Sequence, residues 1–119
     1  MSRSARNGGD QAEILTCLAD PTRRTILEVL SASAGMNAGE VATELDITRQ
    51  GVMKHLRVLA DAELVTSRRA GREVLYEVSP EPLRDTATWL LARADDWERQ
   101  LGALKRAAEA TRAGMRHID

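Results

Sequence analysis

The sequence has no phenylalanine, one tyrosine and one cysteine in 119 residues. Without Phe, a core has to be built from aliphatic side chains and the two Trp. Cys17 stands alone, so no disulfide can form within the chain. No apolar run approaches the roughly 18–20 residues of a membrane-spanning helix. The opening stretch, residues 1–10, is polar and lacks the apolar segment of a signal peptide. It reads as a disordered arm, and the chain as a cytoplasmic protein with no membrane partner. Strong charge of one sign is missing too: the net charge is −1, which excludes a uniformly basic protein that would adhere to any polyanion. Enzymatic parts are also lacking. The sequence holds no Ser/His/Asp or Cys/His set in a plausible pocket, no phosphate-cradling glycine loop and no paired-carboxylate cleft, so no catalytic residue and no cofactor are expected.

What is present is an uneven distribution of charge. Residues 1–47 carry four Lys/Arg against seven Asp/Glu, whereas residues 49–72 carry six (Arg49, Lys54, Arg57, Arg68, Arg69, Arg72) against two. Residues 80–119 carry seven of each. The positive stretch coincides with a recognisable order of elements. Ile14, Leu15 and Leu18 suggest a first short helix. Asp20-Pro21 restarts the chain, with Asp suited to an N-cap and Pro to the first helical position. Ile26, Leu27, Val29 and Leu30 mark a second helix. Asn37 and Glu40 have the spacing of a capping box that opens a third, with Val41 and Leu45 inward. Asp46-Ile47-Thr48 makes a tight turn, and Thr48 can cap a fourth helix.

On that fourth helix Val52, Leu56 and Leu59 fall at i, i+4 and i+7, one apolar stripe. Arg49, Gln50, Met53, Lys54 and Arg57 lie on the other side within a sector of about 140°. His55 lies nearer the stripe and reads as structural. Two strand-like runs follow, Leu64–Arg69 and Arg72–Val78, with Ala70-Gly71 between them. Glycine supplies the positive φ such a turn needs. The turn is expected to hold Arg68, Arg69 and Arg72 at an exposed tip, poised for phosphate or the minor groove. Ser79-Pro80-Glu81-Pro82 then opens a long last helix, with Ser capping it. Along that helix Leu83, Ala87, Leu90, Ala94, Trp97, Leu101, Leu104 and Ala108 alternate steps of four and three. Such a heptad seam is longer than a domain of this size needs to cover its own core. The residues after Thr111 are expected to fray, which leaves residues 11–110 as one folded domain. The fold class is mainly α with a small β-hairpin: a winged helix-turn-helix flanked by N- and C-terminal helices.

Four stretches make the pattern specific: Asp20–Leu27, Ile47–Leu59, Ala62–Val65 and Gly71–Tyr76. Together they strongly resemble the ArsR-type winged helix-turn-helix repressors over residues 13–110. The resemblance implies a homodimer that binds a palindromic double-stranded DNA operator and is released or retuned by a signal, such as a small-molecule effector. It places the DNA readers at the start of the fourth helix, on Arg49, Gln50, Met53 and Lys54, within a surface that includes Thr48, Arg57 and the arginines of the wing. It places the dimer interface on the first and last helices: Ile14 and Leu18, then Leu83, Leu90, Trp97 and Leu101. This sequence has Arg49 where relatives usually have Gln and Met53 where they usually have Ser. Arg49 suits bidentate pairing with guanine, and Met53 offers apolar contact to a thymine methyl.

Many relatives sense metals or arsenicals. A metal- or thiol-responsive sensor is therefore one alternative, and a winged helix that binds another protein is a second. The stretch Gly39–Leu45 has no cysteine. Asp95, Asp96 and Glu98 on the last helix have no histidine nearer than His117, whose pairing with Asp119 reads as adventitious. The resemblance thus points to the metal-independent subgroup, with no metal ligands expected. Cys17 beside Leu18 reads as core filling rather than a redox switch.

Overall fold

The computed structural model describes the backbone of residues 8–118 and the side chains of residues 11–114. Five helices and one antiparallel hairpin follow in the order α1 (Gly8–Ala19), α2 (Pro21–Ser31), α3 (Ala38–Leu45), α4 (Arg49–Asp61), β1 (Val65–Ala70), β2 (Glu73–Val78) and α5 (Glu81–Ile118). This is the expected winged helix-turn-helix order. Helix α1 begins at Gly8, inside the stretch expected to be a disordered arm; residues 1–7 lie outside the described residues. At the other end α5 continues to Ile118, so the tail expected to fray after Thr111 is helical through residue 118. Ala107, Ala108, Ala110 and Ala113 explain the continuation, since Ala is the best helix former.

The boundaries are set by caps. The Asp20 carboxylate accepts from the backbone amides of Thr22 (2.8 Å) and Arg23 (3.2 Å) at the start of α2, with Pro21 at the first helical position. These amide bonds, above all that from Arg23, hold the Asp20 carboxyl below its ordinary value. Asn37 and Glu40 form a reciprocal capping box at α3. Asp46, in the left-handed region at φ 55°, ends α3, and Thr48 accepts from the Gly51 amide at 3.0 Å to start α4. Asp46 suits that conformation because a short polar side chain tolerates it better than most. Ser79 lies two residues before α5 instead of on its cap, and its amide donates to the Leu64 carbonyl at 2.9 Å.

The chain divides into two units, one through Thr86 and one from Ala87 onward. The first contains a core without buried aromatic side chains, built from aliphatic residues and Cys17. Ile26, Leu27 and Leu30 of α2, Val41 of α3 and Val52, Leu56 and Leu59 of α4 are buried with Ile14, Cys17, Leu64 and Val65. Tyr76 and Val78 of the hairpin pack against this core. The second unit is the remainder of α5. There Arg93 lies over the Trp89 ring, 5.5 Å from its centroid, and Asp96 pairs with both Arg93 and Arg99. No described helix is long and apolar enough to cross a membrane.

Candidate nucleic-acid interface

The interface is built on α4. Val52, Leu56 and Leu59 are fully buried, and this anchors one side of the helix in the core. The 100° step per residue then turns Arg49, Gln50, Lys54 and Arg57 outward, and all four are exposed. Arg49, Lys54 and Arg57 have no ion pair among the described residues, so their charge is uncompensated at close range. Thr48 is exposed at the head of the helix with its hydroxyl committed to the cap.

One residue of the expected reading surface is placed differently. Met53 is half-buried and packs against the core, with the Tyr76 hydroxyl 4.0 Å from its Sδ. It borders the hairpin, where apolar contact with Tyr76 competes with outward display. His55 is also half-buried: its Nδ1 lies 3.4 Å from Arg23 Nη1, in keeping with a structural role. The Arg23 Nε donates to the Cys17 carbonyl at 3.2 Å, so this arginine ties α4 to the α1–α2 junction.

The hairpin pairs Val65 with Val78 through Ala70 with Glu73, leaving Gly71-Arg72 as a two-residue loop. Gly71 has φ +67° while Arg72 does not enter the positive region, the arrangement that asks for glycine at the first loop position. Arg69 and Arg72 are exposed at this end. Arg68 is not at the tip. It stands opposite Leu75 lower in the ladder, its Nε donates to Glu77 Oε2 at 2.8 Å and its Nη2 to the Ala34 carbonyl at 3.2 Å. The expectation of three free tip arginines is corrected to two. The cause is the cross-strand position of Glu77, diagonal to Arg68, together with the approach of the 34–37 segment.

That segment also binds the hairpin through its backbone. Met36 and Tyr76 exchange both amide–carbonyl bonds, at 3.2 and 2.8 Å. Nearer the tip, Asn37 Nδ2 donates to Glu73 Oε1 at 2.8 Å. Between α4, the start of α3 and the hairpin lies a cleft of about 400 Å³, lined by Asn37, Gly39, Arg49, Met53, Arg72 and Tyr76 among others. It brings together an arginine from the reading helix and one from the wing. Asn37 and Glu73 were not among the candidate site residues. They are 36 residues apart, and no local pattern links them.

The residues expected at a dimer interface also divide. Ile14 is only 1% exposed, in the core of its own subunit, because α1 turns Gln11, Ile14 and Cys17 inward on one stripe. Ile14 is therefore unavailable as an interface residue, and Leu18 and Leu83 are half-buried against the same core. Leu90, Trp97 and Leu101 are 44%, 60% and 66% exposed, and Leu91 and Leu104 are more than half exposed as well. Cys17 is buried with its Sγ 3.9 Å from the Val58 carbonyl, and burial pushes its thiol above the ordinary value. Among the described residues, no three His, Cys, Asp or Glu side chains are grouped to hold a metal ion. The side chain of His117 and the whole of Asp119 lie outside the described residues.

Comparison with known proteins agrees with this architecture. A family profile described as a helix-turn-helix domain matches residues 18–68. The chain is 32% identical over 78 residues to the transcriptional repressor SdpR of Bacillus subtilis, spanning 66% of this chain and 86% of that protein. It is 40% identical over 83 residues to an uncharacterised helix-turn-helix-type transcriptional regulator, YuzN, of the same organism, spanning 65% and 90%. Among solved structures, an ArsR-like transcriptional regulator from Rhodococcus sp. RHA1 superposes with a TM-score of 0.78 at 35% identity, covering 84% of this chain and 93% of that one.

Proposed function

Because this chain belongs to the ArsR-type winged helix-turn-helix transcriptional regulators, we propose that it is a homodimeric repressor. In the cytoplasm it binds a palindromic operator with α4 in the major groove and the wing on the flanking backbone. The observation that carries this reading is the exposed row Arg49, Lys54 and Arg57, which has no ion pair among the described residues, with Gln50, opposite a stripe locked in the core. Such a helix presents cations and bidentate donors at a fixed orientation, which is what base-edge contact requires. Arg49 and Gln50 at its start read bases, with Lys54. Met53, held beside Tyr76, limits the apolar contact to one flank of the helix. Arg69 and Arg72 supply sequence-independent affinity.

Dimerisation is supported by the exposed Leu90, Trp97, Leu101 and Leu104 on α5, since monomers rarely leave apolar surface of that extent in water. Two copies of α4 about 34–36 Å apart would read two half-sites. A small-molecule effector would act by preferring one spacing of the two helices over another. We assign no role to a thiolate-bound metal, since the one cysteine is buried, has its thiol raised by that burial and has no second thiol to join it.

Fluorescence anisotropy with duplexes from the chain's own upstream region tests the reading. Arg49→Ala is expected to cost about 1–3 kcal/mol at the operator and to relax preference at one base pair. Unchanged affinity and preference in both Arg49→Ala and Lys54→Ala overturn the assignment. Sedimentation equilibrium at micromolar concentration tests the dimer, with Trp97→Ala expected to weaken it. A wild-type monomer that binds its operator tightly overturns that part. Addition of Zn(II), Ni(II), Cu(I) or arsenite is expected to leave operator affinity unchanged.

A further inference from the structure

We propose that Asn37 is a positioning residue for the wing, one amide that caps α3 with its oxygen and latches Glu73 with its nitrogen, holding Arg72 across the cleft from Arg49. The inference rests on the DNA-binding reading above. Asn37 Oδ1 accepts from the Glu40 amide at 2.8 Å while Nδ2 donates to Glu73 Oε1 at 2.8 Å. Its own backbone amide donates to Glu40 Oε1 at 2.9 Å, which fixes the residue at the head of the helix.

The choice of Asn is informative. Capping alone is served equally by Asp or Ser. Ser is too short to reach Glu73, and Asp would set a second carboxylate against it. Only an amide can accept on one side and donate on the other at this reach. The position of the latch is informative too. The 34–37 segment holds the hairpin at three levels: Ala34 to Arg68, Met36 to Tyr76 and Asn37 to Glu73. The last is nearest the tip, and beyond Glu73 only the Gly71-Arg72 loop remains. Releasing it frees the end of the hairpin that carries Arg72 while the lower ties stay intact. Arg49 and Arg72 line one cleft, so their spacing is set where the latch acts. A duplex touched by both cations needs that spacing ordered before binding, and disorder there is a cost at association.

The test uses four full-length variants: Asn37→Ser, Asn37→Asp, Glu73→Gln and the double variant N37D/E73Q. Each keeps a competent α3 cap, so melting temperatures serve as the folding control. Asn37→Ser removes the latch with no change of charge. The double variant restores it with reversed polarity, since an amide at position 73 then donates to a carboxylate at position 37, and it keeps the wild-type net charge. Amide exchange over residues 69–74 and operator affinity are the two readouts. Asn37→Ser and Asn37→Asp are expected to speed exchange at the tip and to weaken operator binding by about 3- to 10-fold, the range of one lost hydrogen bond. N37D/E73Q is expected to return both to within about twofold of wild type, a bound smaller than the effect of one hydrogen bond. Wild-type exchange and affinity in Asn37→Ser overturn the proposal. So does simple charge additivity, in which Glu73→Gln strengthens binding as much as Asn37→Asp weakens it while Asn37→Ser is silent. If the wild-type chain binds no duplex, the DNA-binding reading fails, whereas the exchange measurement still decides whether the latch exists.

Discussion

Arg68 and its neighbours Arg69 and Arg72 are alike in sequence and differ in structure, which makes the hairpin a sharp test of the interface. Arg68 is held by the Glu77 carboxylate and the Ala34 carbonyl, while Arg69 and Arg72 are exposed near the loop. A cation already neutralised by a carboxylate 2.8 Å away releases few counterions on meeting a phosphate. Replacing Arg69 and Arg72 together by Ala is therefore expected to flatten the dependence of log K on log salt by about 1.8, at about 0.9 per lost phosphate contact. Over a fourfold rise in salt, each such contact accounts for roughly a 3.5-fold change in affinity. Arg68→Ala is expected to leave the slope within about 0.3 of wild type. Its effect falls on stability instead. An exposed ion pair contributes about 0.2–1 kcal/mol and a neutral hydrogen bond about 0.5–1.5, so the variant should lose roughly 1 kcal/mol. That corresponds to a drop of about 4 °C in Tm. Anisotropy titrations on a non-specific duplex at five salt concentrations, with a thermal melt of each variant, give both numbers. Arg68→Ala with an unchanged Tm and a slope flattened by a full contact refutes the assignment of Arg68 to the scaffold.

Three further outcomes follow from the packing. Leu56→Ala empties a site in the core beneath the reading helix and is expected to cost about 2–5 kcal/mol in urea unfolding; a loss below about 1 kcal/mol would mean that α4 is not anchored by this stripe. Burial raises the Cys17 thiol, so it stays protonated at neutral pH and should resist alkylation until the chain unfolds; the stability that its neutral form contributes is present below the ordinary value of 9.0 and fades as pH rises through the raised one. Fast labelling of the folded protein at pH 7 would contradict this. The Asp20 carboxyl is lowered chiefly by the Arg23 amide, so its stabilising contribution is present above the ordinary value of 3.8 and is lost as pH falls through the lowered one. Acid unfolding of Asp20→Asn should accordingly be less steep below pH 4 than that of wild type, and equal steepness would count against the cap.

Most local signals in this chain were realised, the Ser79 cap excepted, because they depend on neighbours within one helical turn. Asp20, Asn37 with Glu40 and Thr48 are short polar side chains three residues or fewer from the amides they satisfy, and all three cap as their spacing implies. The same holds for Val52, Leu56 and Leu59, whose period alone turns Arg49, Gln50, Lys54 and Arg57 outward. Glycine at the hairpin loop is legible for the same reason, though the loop falls on Gly71-Arg72, one residue later than expected. Tertiary structure decided whatever depends on an approach from elsewhere in the chain. Adjacent Ile14 and Leu15 are both strongly apolar, and only the packing of α1 decides that Ile14 is core and Leu15 is partly exposed. Met53 has an outward helical position, yet Tyr76, 23 residues away, draws it toward the hairpin. Arg68 is one of three similar arginines until Glu77 and the Ala34 carbonyl claim it, and Asn37 is a cap until the wing brings Glu73 within 2.8 Å. Helical periodicity states which way a side chain points from its own axis, and it carries no information about which distant group waits there.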